Sequence, residues 1–265
     1  MSQKPPPKKF IKTPINGTKY TLLVSSAKGG VGKSTVAVNL AFAFQNLGFK
    51  IGILDADVYG PSLPKLLNLK EKPDTENGKD IIPINKYDAQ CMSMGFLVDE
   101  QTPMIWRGPM VISAIKTMTQ KVLWKNLDII IIDMPPGTGD TQLTFAQEVK
   151  IDGAVIVSTP QELALLDVRR GIQMFNKTGV KIFGLIDNMS FFKGDDGKEY
   201  KIFGESGVQK TAEEFNKDFL GNIPLSQDLR SSADKGDPLT HCNPNHEVSI
   251  IFKNMAKKIK ETKLI

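Results

Sequence analysis

Cysteine is scarce in this chain of 265 residues, which contains only Cys91 and Cys242. Two cysteines are too few for the disulfide framework of a small secreted domain, so we expect a reducing compartment, the cytoplasm. A long hydrophobic run is also missing, because no stretch approaches the roughly 18 consecutive apolar residues of a membrane-spanning helix. The first residues lack the apolar centre of a secretory signal peptide. We therefore expect no stable membrane insertion.

A strong excess of charge of one sign is absent as well, since 34 basic and 29 acidic residues leave a net charge of +5. That mild charge permits weak contact with nucleic acid or anionic lipid and requires neither, so we expect no specific nucleic-acid partner. Residues 1–18 are basic and proline-rich, which predicts a flexible arm. Residues 19–265 are predicted to form a single domain, because 40% of the chain is hydrophobic and can supply one full core.

The most informative motif is a phosphate-binding loop of the form K-G-G-x-G-K-[ST]-T that begins at Lys28. It follows an apolar, β-branched run and precedes a helix-like run, which is the context that lets backbone N–H groups surround a polyphosphate. Lys33 is predicted to reach the β- and γ-phosphates, and the Ser34 hydroxyl to bind Mg²⁺. The predicted nucleotide-binding residues of the loop are Gly29, Gly30, Val31, Gly32, Lys33, Ser34 and Thr35.

Strand-like and helix-like segments alternate along the chain. The predicted strands are Tyr20–Ser25, Lys50–Leu54, Ala89–Met94, Leu127–Asp133, Ala154–Ser158, Lys181–Asp187 and Phe219–Ile223. The predicted helices are Lys33–Leu47, Pro109–Val122, Thr141–Val149, Leu163–Lys177, Glu205–Phe215 and Glu247–Thr262. This alternation predicts an α/β fold, with a mostly parallel, doubly wound sheet flanked by helices.

Three carboxylates follow strands near the phosphate loop. Asp133 ends the most apolar strand, where it can hold Mg²⁺ as a Walker-B residue does. The Pro-Pro-Gly turn after it places Gly137 where its N–H can reach the γ-phosphate. Asp55 and Asp57 follow the second predicted strand, Lys50–Leu54, and one of them can orient the attacking water. The alternative is that both cap a loop.

Lys28 opens the glycine loop, although a loop needs no lysine at this position to bind phosphate within its own subunit. It can instead offset charge on the phosphoryl group of a facing subunit, as an arginine finger does. A solvated loop lysine is the alternative.

These motifs together resemble the Mrp (ApbC) family, within the MinD/ParA class of deviant Walker A ATPases. The blocks that carry the resemblance are Lys28–Thr35, Asp55–Ser62, Trp106–Met110, Asp133–Asp140, Thr159–Gln161, Asn188–Ser190, Ile202–Gly204 and Phe219–Leu225. They occur in family order over almost the whole chain.

The resemblance implies a homodimeric ATPase that uses ATP and Mg²⁺ and acts in iron–sulfur cluster assembly or transfer to apoproteins, or with other assembly proteins. It assigns Lys28 a role across the dimer, Asp57 the orientation of water, and Asp133 the Walker-B role. It also implies that Asn188 hydrogen-bonds adenine, beside a base pocket closed at Pro224. An asparagine has the donor and acceptor that adenine requires, whereas a turn residue is the alternative.

The family pattern breaks after the Asn-Met-Ser block, where many members carry a Cys-x-x-Cys pair that holds a cluster between two subunits. Residues 191–200 of this chain contain no cysteine. Asp195 and Asp196 are oxygen ligands, unlike the thiolates that a cluster prefers, and Asp-Asp-Gly is typical of a turn. Whether the chain carries the cluster itself is left open.

Cys242 is the remaining candidate for a cluster or metal ligand, because both histidines of the chain, His241 and His246, flank it. The alternative is a loop that precedes the last helix, with Asn245 or His246 near its cap. Cys91 lies in an apolar strand, which is typical of core packing.

Two other functions within the MinD/ParA class remain alternatives. A positioning ATPase that binds membrane could use the apolar stripe of the last helix, although a helix docked on the sheet has the same pattern. A DNA-partition ATPase is disfavoured by the mild charge and by the expected lack of a basic cluster near the end of the sheet.

Overall fold

The computed structural model describes residues 12–97, 108–205 and 207–261. Within them the strands are β1 (Thr18–Ser25), β2 (Ile51–Asp55), β3 (Thr75–Glu76), β4 (Asp80–Ile81), β5 (Ile84–Lys86), β6 (Ala89–Ser93), β7 (Leu127–Asp133), β8 (Gly153–Ser158), β9 (Ile182–Asn188), β10 (Phe192–Lys193), β11 (Glu199–Tyr200) and β12 (Phe219–Ile223). The helices are α1 (Lys33–Gln45), α2 (Leu63–Leu66), α3 (Gly108–Lys116), α4 (Asp140–Glu148), α5 (Glu162–Thr178), α6 (Gly207–Glu214), α7 (Gln227–Lys235), α8 (Leu239–Cys242) and α9 (Glu247–Ile259).

Eight strands form one sheet in the order β12-β9-β8-β1-β7-β2-β6-β5. All neighbouring pairs are parallel except the edge pair β5 and β6. The central strand β7 is apolar on both sides because helices cover both faces. One core contains side chains of α3, α4, α5 and α6, and the other contains side chains of α1, α7, α8 and α9. The predicted fold class is confirmed.

The predicted strands and helices all occur, with ends that differ by a few residues. The last helix is docked on the sheet, since its stripe residues Val248, Phe252, Met255 and Ile259 are buried against α1 and β12. Because these residues are buried in the core, the apolar stripe no longer supports membrane binding by this helix. Across the described ranges, no helix has both the length and the apolar character needed to span a bilayer.

The predicted arm, residues 1–18, is only partly described. Its first eleven residues lie outside the described part of the chain, as do the first two residues of the Trp106–Met110 block. From Lys12 onward the chain is held: Thr13 forms a bridge with Val149, Ile15 is buried, and Thr18 begins β1. The described end of the predicted arm, residues 12–18, thus contacts the sheet through Thr13 and Ile15, while the boundary at residue 19 stays a prediction.

Candidate functional site

The glycine loop joins β1 to α1 at the carboxyl edge of the sheet. Gly32 occupies the N-cap position of α1 with a φ of 79°, a left-handed conformation that favours glycine. The Nδ2 atom of Asn188 donates to the Val31 carbonyl at 2.8 Å, and a Cβ on Gly32 would collide with this amide. The third glycine of the loop is therefore required both by its backbone angle and by the approach of Asn188.

Lys33 and Asp133 form a buried ion pair beneath the loop, with exposed fractions of 7% and 2%. The Lys33 ammonium also lies 3.2 Å from the Ser34 hydroxyl. Burial raises the pKa of Asp133, and the nearby Lys33 ammonium opposes that shift. The structure thus brings together the phosphate-binding lysine, the hydroxyl and the carboxylate that the sequence predicts.

Asp55 and Asp57 differ in what they contact. The Asp55 carboxylate is fully buried and accepts hydrogen bonds from the backbone N–H groups of Asp57, Ser62 and Leu63, and from the Ser93 hydroxyl, at 2.9–3.1 Å. Burial, followed by the Asp133 carboxylate, raises the pKa of Asp55 to about 7. With four donors around it, Asp55 organises the loop after β2 and leaves Asp57 to face the phosphate cavity.

The turn after β7 places Gly137 at a φ of 102°, within reach of the phosphate loop. Its N–H donates to the Ser26 carbonyl at 2.9 Å. In this conformation the N–H is therefore already used, and a contact with a γ-phosphate requires the turn to move.

Two neighbouring cavities extend from the loop. The smaller, of about 220 Å³, is lined by Ser26, Gly29, Gly30, Gly32, Lys33, Ser34, Thr35, Asp57 and Pro136. The larger, of about 750 Å³, shares Gly32 and Thr35 with it and is lined mainly by apolar surface, with Asn188, Phe192 and Pro224 in its wall. The first has the size and donors for phosphates, and the second has the apolar walls and polar amide that suit a base.

Lys28 is exposed at the same edge of the sheet. Within the described part of the chain, its ammonium has no hydrogen bond or ion pair, whereas its carbonyl accepts from the Ser26 hydroxyl at 2.9 Å. The side chain is therefore available to a group outside its own subunit.

The segment after Asn188–Ser190 forms the hairpin β10–β11 instead of a thiolate site. Phe192 pairs with Tyr200 across the two strands, and Asp196 in the turn accepts from the Lys198 N–H at 3.0 Å and from the Tyr200 hydroxyl at 2.9 Å. The predicted Asp-Asp-Gly turn is confirmed. At its base, the Leu225 N–H donates to the Phe191 carbonyl, so the hairpin is joined to the wall of the large cavity.

The two histidines beside Cys242 are engaged elsewhere. His241 contacts Asp237 at 2.8 Å and stacks on Tyr87, while His246 caps α9 by accepting from the Val248 N–H and contacts Asp228. Burial and the Asp237 carboxylate raise the pKa of the Cys242 thiol, which disfavours the thiolate. Among the described residues, no three His, Cys, Asp or Glu side chains are arranged to hold a metal ion. The described residues of one subunit therefore supply no complete set of metal ligands at this loop. The alternative that His246 caps the last helix is confirmed.

Sequence reasoning missed part of the site. The organising role of Asp55 depends on Ser93, which is far away in the sequence, and no local pattern indicates it. Ser226 and Arg230 of the α7 region line the large cavity. Ser226 followed by Gln227–Lys235 and Gly236 has the N-cap and C′ residues of a helix, so that signal was present.

Comparison with known proteins shows that the chain matches one family of P-loop NTPases. The family described as ParA, NUBPL iron-transfer P-loop NTPase, matches residues 17–260. The chain is 47% identical to the iron–sulfur protein required for NADH dehydrogenase of Arabidopsis thaliana, over 92% of this chain and 79% of that protein. It is 43% identical to an iron–sulfur cluster carrier protein of Aquifex aeolicus, over 95% of this chain and 70% of that protein.

Solved structures agree with the fold. The nucleotide-binding protein of Archaeoglobus fulgidus, in complex with ADP, matches with a TM-score of 0.73 and 37% identity, over 83% of this chain and 87% of that one. The cell division ATPase MinD of Pyrococcus furiosus matches with a TM-score of 0.68 over 91% of this chain and 98% of its own. The latter is 20% identical, so it supports the fold alone.

Proposed function

Because the chain belongs to the NUBPL iron-transfer family of P-loop NTPases, we propose that it hydrolyses ATP as a homodimer and acts in iron–sulfur cluster assembly or transfer to apoproteins. The observation that carries the ATPase is that Lys33, Ser34 and Asp57 line the smaller cavity while Lys33 forms a buried ion pair with Asp133. The relatives' names support the iron–sulfur role. We further propose that the protein acts in the cytoplasm, either on apo iron–sulfur proteins or together with other assembly proteins.

Phosphate binding exchanges one partner of Lys33 for another. The ammonium pairs with Asp133 and also lines the smaller cavity, where the β- and γ-phosphates would be stronger anionic partners. Backbone N–H groups of the glycine loop then surround the phosphates at the N-terminus of α1. Binding therefore frees the Asp133 carboxylate.

The residues present fit Mg²⁺. The Ser34 hydroxyl and the Asp133 carboxylate are the hard oxygen donors that this ion prefers, and Lys33 holds them close together. When bound, Mg²⁺ neutralises charge on the phosphates.

Asp57 is positioned to orient the attacking water. Its Oδ1 atom accepts from the Tyr59 and Gly60 N–H groups, at 3.1 and 3.2 Å, which fixes the carboxylate toward the smaller cavity. A carboxylate held in this way aligns a water with the γ-phosphate and accepts its proton. Asn188 and Pro224 bound the base in the larger cavity.

Lys28 completes the site from a second subunit. Its exposed ammonium lies at the edge where the phosphates bind, without a partner in the described part of its own chain. In a dimer joined through these edges, it neutralises charge on the facing subunit's phosphoryl group during transfer. The homodimer is in this way part of the catalytic proposal.

The cluster is the cargo of this family, and Cys242 is the cysteine of this chain that can reach it. Cys91 is fully buried in β6, where burial raises the pKa of its thiol to about 12. Cys242 is exposed. A carrier would therefore place two copies of Cys242, one from each subunit, on a shared cluster, whereas an adaptor would bind clients and leave the cluster to another protein.

Anaerobic reconstitution with iron and sulfide tests the proposal, with iron counted per dimer for the wild type and for Cys242→Ala. A stable cluster that is lost in the variant supports a carrier with relocated ligands. No cluster, together with ATP hydrolysis that an apo iron–sulfur protein stimulates, supports an adaptor. A protein that neither hydrolyses ATP nor increases cluster content of an apoprotein would contradict the proposal.

A further inference from the structure

A row of lysines lies along the edge of the sheet where the parallel strands begin. Lys19 is the second residue of β1, and each of the other five precedes its strand by one to three residues. The residues of this basic edge are Lys19, Lys50, Lys125, Lys150, Lys181 and Lys217. Their strands are neighbours in the order β12-β9-β8-β1-β7-β2, so the row spans roughly 24 Å at about 4.8 Å per strand.

Most of this charge is not neutralised within the subunit. All members of the basic edge except Lys217 are exposed. Lys19 pairs with Asp128 at 2.7 Å, whereas over the described ranges the ammonium groups of Lys125, Lys150 and Lys181 form no ion pair or hydrogen bond. Three unpaired ammonium groups within a run of four adjacent strands, β9-β8-β1-β7, favour an anionic partner outside the chain.

The described chain enters the sheet beside the basic edge. The Thr13 N–H donates to the Glu148 carbonyl and the Lys150 N–H donates to the Thr13 carbonyl, both at 2.8 Å, so the chain joins the sheet beside the basic edge. The eleven residues before Lys12 contain three lysines and no Asp or Glu.

We infer that the basic edge is a docking surface for an acidic protein. It lies at the opposite end of the strands from the glycine loop, so a partner bound there leaves both nucleotide cavities open. A row of positive charge of this width steers a partner with clustered carboxylates and fixes its orientation.

The composition of the edge favours a protein over a nucleic acid. The exposed aromatic side chains of the described residues are Tyr59, Phe192 and Tyr200, which all follow strands at the nucleotide end. The aromatic residues beside the basic edge, Tyr20, Phe49 and Phe219, are half-buried, so bases find little surface to stack on there. Asp128 and Asp152 lie among the lysines and would face phosphates. Mixed charges of this kind are tolerated where two proteins meet.

The proposed dimer disfavours a membrane surface, and this step rests on the proposed function. Subunits that face each other through their glycine loops direct their basic edges away from each other. A flat bilayer could then contact only one of the two edges. Two acidic proteins, by contrast, can dock at once.

Fluorescence anisotropy without nucleotide tests the inference with a labelled oligoglutamate peptide as the probe. The edge variant is Lys125→Glu with Lys150→Glu and Lys181→Glu. The matched control is Lys198→Glu with Lys201→Glu and Lys210→Glu, three exposed lysines near the nucleotide end with the same change in net charge. A second edge variant with glutamine at the three positions guards against misfolding caused by charge reversal. A DNA duplex of equal charge and vesicles of phosphatidylglycerol with phosphatidylcholine are measured beside the peptide.

We expect the edge variant to bind the peptide at least about tenfold more weakly, the control to change by less than about twofold, and binding to fall as salt rises. The glutamine variant should show a smaller loss in the same direction. Equal weakening in the edge variant and the control would reduce the effect to net charge and overturn the inference. Tighter binding of the duplex or of the vesicles than of the peptide would overturn the choice of partner. Because the assay contains no nucleotide, neither result bears on ATP hydrolysis.

Discussion

Asp187 is a buried carboxyl group that the proposed reaction does not use. It lies at the end of β9 with 1% of its surface exposed, and its Oδ1 atom has no hydrogen-bond partner among the described residues. Burial raises the pKa of Asp187 to about 7. Between about pH 4 and pH 7 the folded protein therefore keeps a proton that the unfolded chain has released, so this group lowers the free energy of unfolding as the pH rises.

Asp187→Asn removes this pH-dependent loss of unfolding free energy. We expect the variant to match the wild type near pH 4 and to become increasingly more stable than it as the pH rises, by roughly 1–3 kcal/mol near pH 8, because an amide needs no ionisation. Urea unfolding at several pH values measures the difference. Asp55, whose pKa is also about 7, is present in both proteins and cancels in it. A variant that is less stable at pH 8 would show that the Asp187 carboxylate has a favourable partner.

Lys33→Ala should abolish nucleotide binding, because it removes the cation for the β- and γ-phosphates and leaves the buried Asp133 carboxylate to repel them. Isothermal titration with ATP and Mg²⁺ measures the affinity. Lys201→Ala, at an exposed position, is the control. Retained ATP affinity in Lys33→Ala would refute the assignment of the phosphate loop.

At the scale of residues, the sequence predicted positions better than roles. The glycine loop, Asp57 and Asp133 converge as predicted because motif spacing and strand ends determine them. Position alone did not separate Asp55 from Asp57; the family resemblance assigned the water to Asp57, and the four donors around Asp55 give a physical reason for the difference. The contact of Asn188 with Val31 was likewise beyond the sequence, because it joins the end of β9 to the glycine loop, 157 residues away along the chain.

The stability of helix α7 depends on its N-cap residue, Ser226. The Ser226 hydroxyl accepts from the Leu229 N–H at 3.2 Å, while Leu229 and Ser232 are the buried residues of this mostly polar helix. Ser226→Ala should therefore cost about 1 kcal/mol and lower the melting temperature by roughly 2–4 °C. Ser226→Asp, which also accepts from a backbone N–H, should retain most of the stability. Equal losses in both variants would show that the serine acts through packing instead.

Elements with strong apolar patterns were predictable, and those without were not. β7 and α9 carry buried runs that indicate a strand and a docked helix without further information. α7 and α8 were missed because few of their side chains are buried. Capping residues alone, Ser226 and Gly236, marked the ends of α7, and such signals are weaker than an apolar stripe.

At the scale of the whole molecule, the parallel sheet creates surfaces that no segment of the sequence shows. The lysines of the basic edge are separated by up to tens of residues, so the sequence contains no basic cluster, yet their strands begin side by side. The same topology collects the glycine loop, Asp57 and Asp133 at the other edge. The two edges became visible only when strand order was known.

The division of the catalytic group between two subunits can be tested by mixing inactive variants. Lys28→Ala should bind ATP and lose hydrolysis, since its ammonium has no contact in its own described chain and acts on the facing subunit. Asp57→Asn should also bind ATP and lose hydrolysis, because the water is no longer oriented. Equal amounts of the two variants should recover about a quarter of wild-type activity, since about half of the dimers are mixed and each has one complete site.

The recovered site in a mixed dimer is the one that combines Asp57 of the Lys28→Ala subunit with Lys28 of the Asp57→Asn subunit. Steady-state phosphate release from the mixture measures it, with each variant alone at the same total concentration as the control. If Lys28 instead acts within its own subunit, every site in a mixed dimer lacks one of the two groups and the mixture stays inactive. Activity of Lys28→Ala alone at the wild-type level would remove its catalytic role altogether.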